Sequence, residues 1–592
     1  MSPIVPERCI GARDLTEPRL SPDGTMLGFA VSDAGVAVLM LSRLDGTVPI
    51  ELTAHPLPRT GRGLGGGCWC WSPDSSSIVY SAVDGNLWLQ PVPGGPPRCL
   101  TDQGPDRVAQ APAIAPDGSA VVYVVDQAEV WLQPLSAGSP RRIDSGSADF
   151  CFDPQFRSDS SGAFWQAWNV PHMPWDNARL DGVMFDGSVG FTMAPDGALQ
   201  QPRCAADGTL MCVRDDHGWS NVWLGDAALV GETFEHAGPT WGLGQRSFVM
   251  SPDGKQVAFT RNDRGFGRLC VLELAVGVVT DVGRAVHGQL SWHGNRLAAL
   301  RTGARTPTQV VVYETTTWQR SVVDIGPNSW WNDELLVEPE AHVIAASDSA
   351  TLHARLYRAD GPTDRLICWL HGGPTDQWQV GFMPRVAYWR SRGWNVLLAD
   401  HRGSTGHGRA YQQSMNHRWG ILDVSDTASI LTAAHERGWG SPQRTVLMGG
   451  SAGGFTVLGV LAEAPQLAAA AVVSYPVTDL FDLAERSHRF ERHYTHSLVG
   501  PLPARHDEQG DYFLRSPVNF ADRIRTPLLM FHGDADAVVP VEQSRAMATR
   551  IVESGGMVEL CVYTGEGHGF RLPANQLDEY RRTGDFIAEH VQ

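Results

Sequence analysis

The run Thr445-Val-Leu-Met-Gly-Gly-Ser-Ala-Gly-Gly-Phe455 sets a serine, Ser451, between Gly449 and Gly453, after an apolar segment and before a helical one. A chain that turns sharply from strand into helix presents one side chain at the apex and needs small residues on either side of that strained position. A serine hydroxyl is a poor nucleophile at neutral pH until a histidine takes its proton and an acid holds that histidine in one tautomer. Behind such an elbow the chain order is Ser, acid, His. Leu528-Leu-Met-Phe-His-Gly-Asp-Ala-Asp-Ala-Val-Val-Pro540 offers Asp534 and Asp536, and Tyr563-Thr-Gly-Glu-Gly-His-Gly-Phe570 offers His568 between two glycines. Spacing alone does not separate the two aspartates, since either could be a turn former. Acyl transfer also needs two backbone N–H donors for the developing oxyanion. Ala452, next after the nucleophile, supplies one. Leu370-His-Gly-Gly-Pro374 supplies the other, at Gly373, with Gly372 as the alternative.

These residues need a rigid scaffold, and the second half of the chain reads as one. Apolar runs suited to buried strands lie at Leu366 to Leu370, Val396 to Ala399, Val446 to Met448, Ala470 to Val473 and Leu528 to Phe531. Helical stretches such as Val424 to Arg437 and Gln543 to Ser554 fall between them. Alternating strands and helices predict a mainly parallel sheet covered on both faces, and each candidate acid or base follows an apolar strand, where open α/β sheets carry their sites. An α/β-hydrolase domain is expected over 346–592.

The first half is built differently. LSPDGTMLGFA from Leu20, WSPDSSSIVYS from Trp71 and IAPDGSAVVYV from Ile114 are copies of one phrase, and FRSDSSGAFWQ from Phe156, CAADGTLMCVR from Cys204, MSPDGKQVAFT from Met250 and LSWHGNRLAAL from Leu290 are weaker copies. Their spacing, roughly 40 to 50 residues, is that of a propeller blade. Pro, Asp and Gly make the turn of a hairpin, and the β-branched and aromatic residues that follow make strands. A ring of such sheets buries faces that one sheet alone exposes and leaves a central channel. The expected architecture is therefore an N-terminal seven-bladed β-propeller over 1–345, joined to the hydrolase domain. Gly61-Arg-Gly-Leu-Gly-Gly66 fits a dinucleotide fingerprint but leads into another propeller strand, not a helix. The aromatics of Trp168 to Asp176 are assigned to blade packing.

Composition narrows the partners. A formal net charge of −18 and the absence of any basic run argue against nucleic acid. Charged residues interrupt the N-terminus where a signal peptide needs its apolar core, and no run of about 18 apolar residues exists. A cytoplasmic location without membrane insertion is expected. The ten cysteines are scattered, with only Cys68 and Cys70 close together, so buried reduced thiols are expected and no metal or other cofactor.

The residues also resemble the prolyl oligopeptidase family, specifically its acylaminoacyl-peptidase and dipeptidyl-aminopeptidase-like branch. The likeness is carried by HGGP from His371, HRGSTGHGRAY from His401, WGILDVSD from Trp419, GGSAGG from Gly449, SPVNFADRIRTPLLMFHGDADAVVP from Ser516 and EGHGF from Glu566. The resemblance implies that Asp536, the fourth residue after the histidine of the HG phrase, is the acid, with Ser451 and His568 carried over directly. Many members have Tyr or His after the nucleophile where this chain has Ala452. The family implies hydrolysis of amide bonds in short peptides or aminoacyl amides, folded proteins being excluded by the propeller, and it suggests a homo-oligomer. Ser487-His-Arg-Phe-Glu-Arg-His-Tyr494 is similar to a segment of aminopeptidase-like members, which makes Glu491 the candidate partner of a free α-amine and Arg492 a candidate for a substrate carbonyl or carboxylate. Aminopeptidase or dipeptidyl-peptidase activity is the expectation. Acylaminoacyl-peptidase, carboxypeptidase and esterase activities share the triad. An interaction module with a degenerate hydrolase domain is the non-enzymatic alternative.

Overall fold

A computed structural model describes residues 3–591 except 12, 54, 62–63, 105, 137, 188–189, 327–330, 332–333 and 504–506. The chain divides into two compact units, Ala12–Glu334 with Gln379–Phe382, and Met1–Gly11 with Leu335–Trp378 and Met383–Gln592. The division falls before the expected 346, because Glu340–Ala345 already pairs with Thr351–Tyr357 in the second unit's sheet.

Every copy of the repeated phrase is the turn between the first two strands of a four-stranded antiparallel sheet, and seven such sheets lie among the described residues. The chemistry of the turn is local. Asp23 accepts from Ser21 Oγ (2.6 Å) and from the Thr25 amide (3.0 Å), and Asp74 and Asp253 repeat the pattern with Ser72 and Ser251. Hydrogen bonds to an ionised carboxylate hold all three acids below the usual range, with the Ser hydroxyl as the first cause. The ring closes by packing the first sheet on the last: Leu15, Leu27 and Phe29 share a core with Ala298, Leu300 and Val310. Trp168 stacks on Phe150 at 5.0 Å and meets Phe152 edge-on at 4.8 Å, so its ring fills a blade.

The propeller axis differs from the open channel the repeats suggested. In five sheets the innermost strand carries a bulge with a non-glycine residue at positive φ, namely Glu17, Ala111, Asp153, Gln201 and Gln289. Several of these side chains bond to neighbouring blades: Glu17 accepts from Cys68 N, Gln201 from Ser247 N, and Gln289 Nε2 donates to the carbonyls of Leu64 and Gly244. The Gly66 amide then donates to the Leu243 carbonyl at 2.8 Å. These residues lead into the second and sixth sheets, which sit almost opposite one another in a ring of seven, so the bond crosses the axis. The fingerprint-like Gly61–Gly66 phrase belongs to this bridge and runs on into strand Trp69–Trp71; its residues 62 and 63 lie outside the described residues.

The second unit is an eight-stranded sheet: β1 (Glu340–Ala345), β2 (Thr351–Tyr357), β3 (Leu366–Leu370), β4 (Asn395–Asp400), β5 (Thr445–Gly450), β6 (Ala470–Ser474), β7 (Leu528–Gly533) and β8 (Val558–Tyr563), in the order 1-2-4-3-5-6-7-8. β2 is antiparallel to β1 and β4, and the other pairs are parallel. The five expected strands are β3 to β7. They read as unbroken apolar runs because helices cover both faces. Leu366, Cys368, Leu447, Val473 and Met530 pack with Ile430, Leu458 and Met547 from helices Leu422–Glu436, Ala452–Glu463 and Val541–Glu553. β8, at the sheet edge, is mostly half-buried and carries Glu559 among its apolar residues, and this mixed pattern hid it among loop residues.

Candidate active site

β5 leads directly into Ser451, which has φ 55° and ψ −124° and precedes helix Ala452–Glu463. A serine at positive φ is strained, and the surroundings hold it there: its amide donates to the Ser474 carbonyl (3.0 Å) and its carbonyl accepts from Phe455 N (3.1 Å). The flanking glycines are packing requirements. A Cβ on Gly449 would lie 2.5 Å from the Gly453 carbonyl, and one on Gly453 would lie 2.6 Å from the His371 carbonyl oxygen. Any side chain there pushes the helix off the sheet.

The loops after β7 and β8 bring an acid to a histidine. His568 Nδ1 lies 2.7 Å from Asp536 Oδ2, whose side chain is fully buried. Asp536 Oδ1 also accepts from the amides of Val538 and Val539 at 2.8 and 3.0 Å. Burial works to raise its pKa, but hydrogen bonds from His532, His568 and the Val539 amide outweigh it and hold the carboxyl well below the usual range. Asp534 is exposed and accepts from the Gly565 amide at 2.7 Å, shaping the histidine loop from outside. Glu566, 3% exposed, accepts from the amides of Arg571 and Leu572 and from Asn575 Nδ2 and anchors the far side of that loop. Tyr475, at positive φ, lays its ring 4.5 Å from His568. The sequence reading assigned no role to Glu566 or Tyr475, and only the EGHGF phrase pointed at the former.

The loop after β3 approaches Ser451 from the other side. A Cβ on Gly372 would lie 3.5 Å from Ser451 Cβ, and Gly373 has φ 112°. His371 clamps this turn, with Nδ1 2.7 Å from the Gly372 carbonyl oxygen and Nε2 2.7 Å from Ser404 Oγ. The carbonyl can only accept, so Nδ1 carries the proton and Nε2 receives the Ser404 hydroxyl. Burial first, then the neighbouring His401, pushes the His371 pKa down to about 3, and the ring is neutral. Across a trans peptide the N–H points opposite to the C=O, so fixing the Gly372 carbonyl on His371 turns the Gly373 amide the other way. Tyr494 adds a second clamp, its hydroxyl taking the Thr375 amide at 3.1 Å.

One small cavity is lined by Ser451, Ala452, Gly373 and Glu491, together with Trp419, Val477, Leu483, Tyr494, Thr495, Val538 and Val539. Four expected site residues thus share a wall. Glu491 Oε1 lies 3.2 Å from His488 Nε2, and its side chain is 22% exposed. Arg492, next in the chain, is exposed and is not part of this wall. Trp419 and the Val538–Val539 pair were missed, although WGILDVSD and DADAVVP contained them.

Beneath the site, Arg355 grips Asp400 through Nη1 and Nη2 at 2.6 and 2.7 Å, and His407 joins them at 2.8 Å. Acid should weaken the fold through two other buried histidines. His371, and His287 in the propeller, are buried with pKa values near 3, whereas an unfolded histidine titrates at about 6.5. Below about pH 6.5 the unfolded chain binds protons that the folded chain refuses, so stability falls with pH down to about 3. The urea midpoint is expected to drop between pH 7 and pH 5; an unchanged midpoint would contradict the buried neutral histidines.

Among the described residues no group of three or more His, Cys, Asp or Glu is placed to hold a metal ion, and no helix is long and apolar enough to cross a membrane. Residues 380–592 match the sequence profile of the prolyl oligopeptidase family. The match falls almost wholly within the C-terminal unit. The dipeptidyl peptidase family member 6 of Caenorhabditis elegans is 28% identical over 261 residues, 43% of this chain and 35% of that protein. The acylamino-acid-releasing enzyme of Arabidopsis thaliana is 28% identical over 228 residues, 38% of this chain and 30% of that protein. The chain thus spans about a third of the length of the curated relatives it matches. Among solved structures, a puromycin-hydrolyzing peptidase of Mycobacterium tuberculosis superposes with a TM-score of 0.91 at 25% identity, covering 100% of this chain and 96% of that one. A puromycin hydrolase gives a TM-score of 0.88 at 27% identity with the same coverage. The structural likeness therefore covers both units, whereas the family profile covers the second.

Proposed function

We propose that this chain is a serine peptidase that cleaves amide bonds of short peptides or aminoacyl amides through an acyl-enzyme on Ser451, as an aminopeptidase or dipeptidyl-peptidase. The observation that carries this reading is the buried Asp536 bound to His568 in the domain that raises Ser451 on its elbow. His568 takes the Ser451 proton as the hydroxyl attacks the scissile carbonyl, Asp536 holds the imidazole in the required tautomer, and the amides of Gly373 and Ala452 receive the oxyanion. His568 then protonates the leaving amine, and water repeats the sequence on the ester. That all ten cysteines are free supports a reducing, cytoplasmic setting.

Glu491 supports the choice of substrate end. It is the carboxylate of the cavity wall, set among Trp419, Leu483 and Val539, and suits an ammonium next to an apolar side chain. The likeness to puromycin hydrolases agrees, since puromycin is an aminoacyl amide with a free α-amine. A panel of aminoacyl, dipeptidyl, N-acetylated and ester chromogenic substrates tests the reading, with the free-amine amides expected to be fastest. Glu491→Gln is expected to lower kcat/KM for them by roughly 10- to 100-fold, the worth of a hydrogen bond to a charged group. The N-acetylated analogue has no charge to lose and should change little. A wild-type preference for the N-acetylated substrate would replace this reading with acylaminoacyl-peptidase activity.

A further inference from the structure

The propeller axis gathers charge that its own residues do not balance. Arg19, Arg203 and Arg246 lie within electrostatic reach of one another and of Glu17 and Asp153. Glu17 accepts from Arg19 Nη2 at 3.1 Å, and Asp153 takes the Gly244 amide at 2.6 Å. Arg203 donates to the carbonyls of Pro202 and Gln245 at 2.7 and 2.9 Å. The Arg246 guanidinium makes no hydrogen bond to any described residue, and its Nε is buried. Arg19, only 6% exposed, likewise keeps a buried Nε without a partner. In a chain of net charge −18, three cations face two carboxylates here.

A guanidinium cannot shed its proton, so the excess charge and the unpaired donors call for an outside acceptor. Burial, Arg19 and Arg203 all press the Arg246 pKa downward, which is the same tension seen from the ionisation side. We propose that Arg19, Arg203 and Arg246 form a binding site for a small oxoanion, a phosphate or a carboxylate. The planar fork of guanidinium donors matches two oxygens of such a group better than a spherical halide. Arg246 is half-buried and gives the anion its way in. The bond from Gly66 to Leu243 bridges the axis, so the axis is a seat and not a passage.

The test is a calorimetric titration of the full chain with sodium phosphate and, separately, sodium acetate, with sodium chloride holding ionic strength constant. Saturable binding is expected in the wild type and equally in Ser451→Ala, which keeps the result independent of the peptidase reading. Arg246→Met should weaken it by roughly tenfold or more, the worth of one charge-assisted hydrogen bond. Arg246→Lys, which keeps the charge and loses the fork, should fall between. Tighter binding of phosphate would point to an inorganic or phosphorylated source, and tighter binding of acetate to a carboxylate. If neither anion saturates the wild type, or if a folded Arg246→Met binds as the wild type does, the site does not exist. Should Arg246→Met fail to fold, the wild-type titration and Arg246→Lys still decide the matter.

Discussion

Ser451→Ala and His568→Ala are each expected to lower kcat by roughly three or more orders of magnitude while the protein stays folded. In the proposed reaction the serine supplies the attacking oxygen, and of the hydroxyl residues in the cavity wall, Ser451, Tyr494 and Thr495, it is the one raised on the strand-to-helix elbow. In the same proposal the histidine supplies both proton transfers. Because the two act as one unit, the double variant should be little worse than either single one. The acid can be tested on its own. Asp536 is buried against His568, whereas Asp534 is exposed and touches only the backbone of the loop. Asp536→Asn should therefore cripple kcat, by leaving His568 in the wrong tautomer, and Asp534→Asn should leave most activity. The reverse ranking in a steady-state assay would overturn the assignment of the acid.

His371→Ala is expected to cost roughly 10²- to 10³-fold in kcat, the range seen when one oxyanion donor is lost. His371 does not line the cavity and its ring bonds the Gly372 carbonyl, so it is a positioning residue. Without it the Gly372–Gly373 peptide is free to rotate, and its amide no longer waits where charge develops. The loss should fall on kcat, with KM nearly unchanged, because the donor matters most when the carbonyl oxygen becomes an anion. Ser404→Ala removes only the hydroxyl that fixes the His371 tautomer and should give a smaller loss of the same kind. A large rise in KM with kcat intact would mean that His371 shapes substrate binding instead.

What the sequence made legible follows from how local each feature is. The elbow could be read because Gly449, Ser451 and Gly453 meet within one turn, and their spacing is itself the steric requirement. The blade turns could be read for the same reason, since Ser21, Asp23 and Thr25 bond to one another. Asp534 and Asp536 could not be told apart by spacing, because both do turn work: one accepts the Gly565 amide, the other the Val538 and Val539 amides. Burial separates them, and burial is set by β7 and β8 together. The His371 clamp was hidden because its partner Ser404 follows a different strand. The closure of the propeller axis was hidden for the same reason, since Gly66 and Leu243 meet only after the ring has formed. Arg492 came from the resemblance of its segment, and exposure, which a segment likeness does not report, is what sets it apart from Glu491.

The claim on which the account rests is that Ser451 is an activated nucleophile. The most direct measurement is to treat the intact protein with a fluorophosphonate and locate the adduct by peptide mapping. A single adduct on Ser451, formed as activity is lost and much slower in His568→Ala, is the predicted result. Full inactivation with the adduct on another residue, or peptidase activity that persists with Ser451 fully modified, would contradict it.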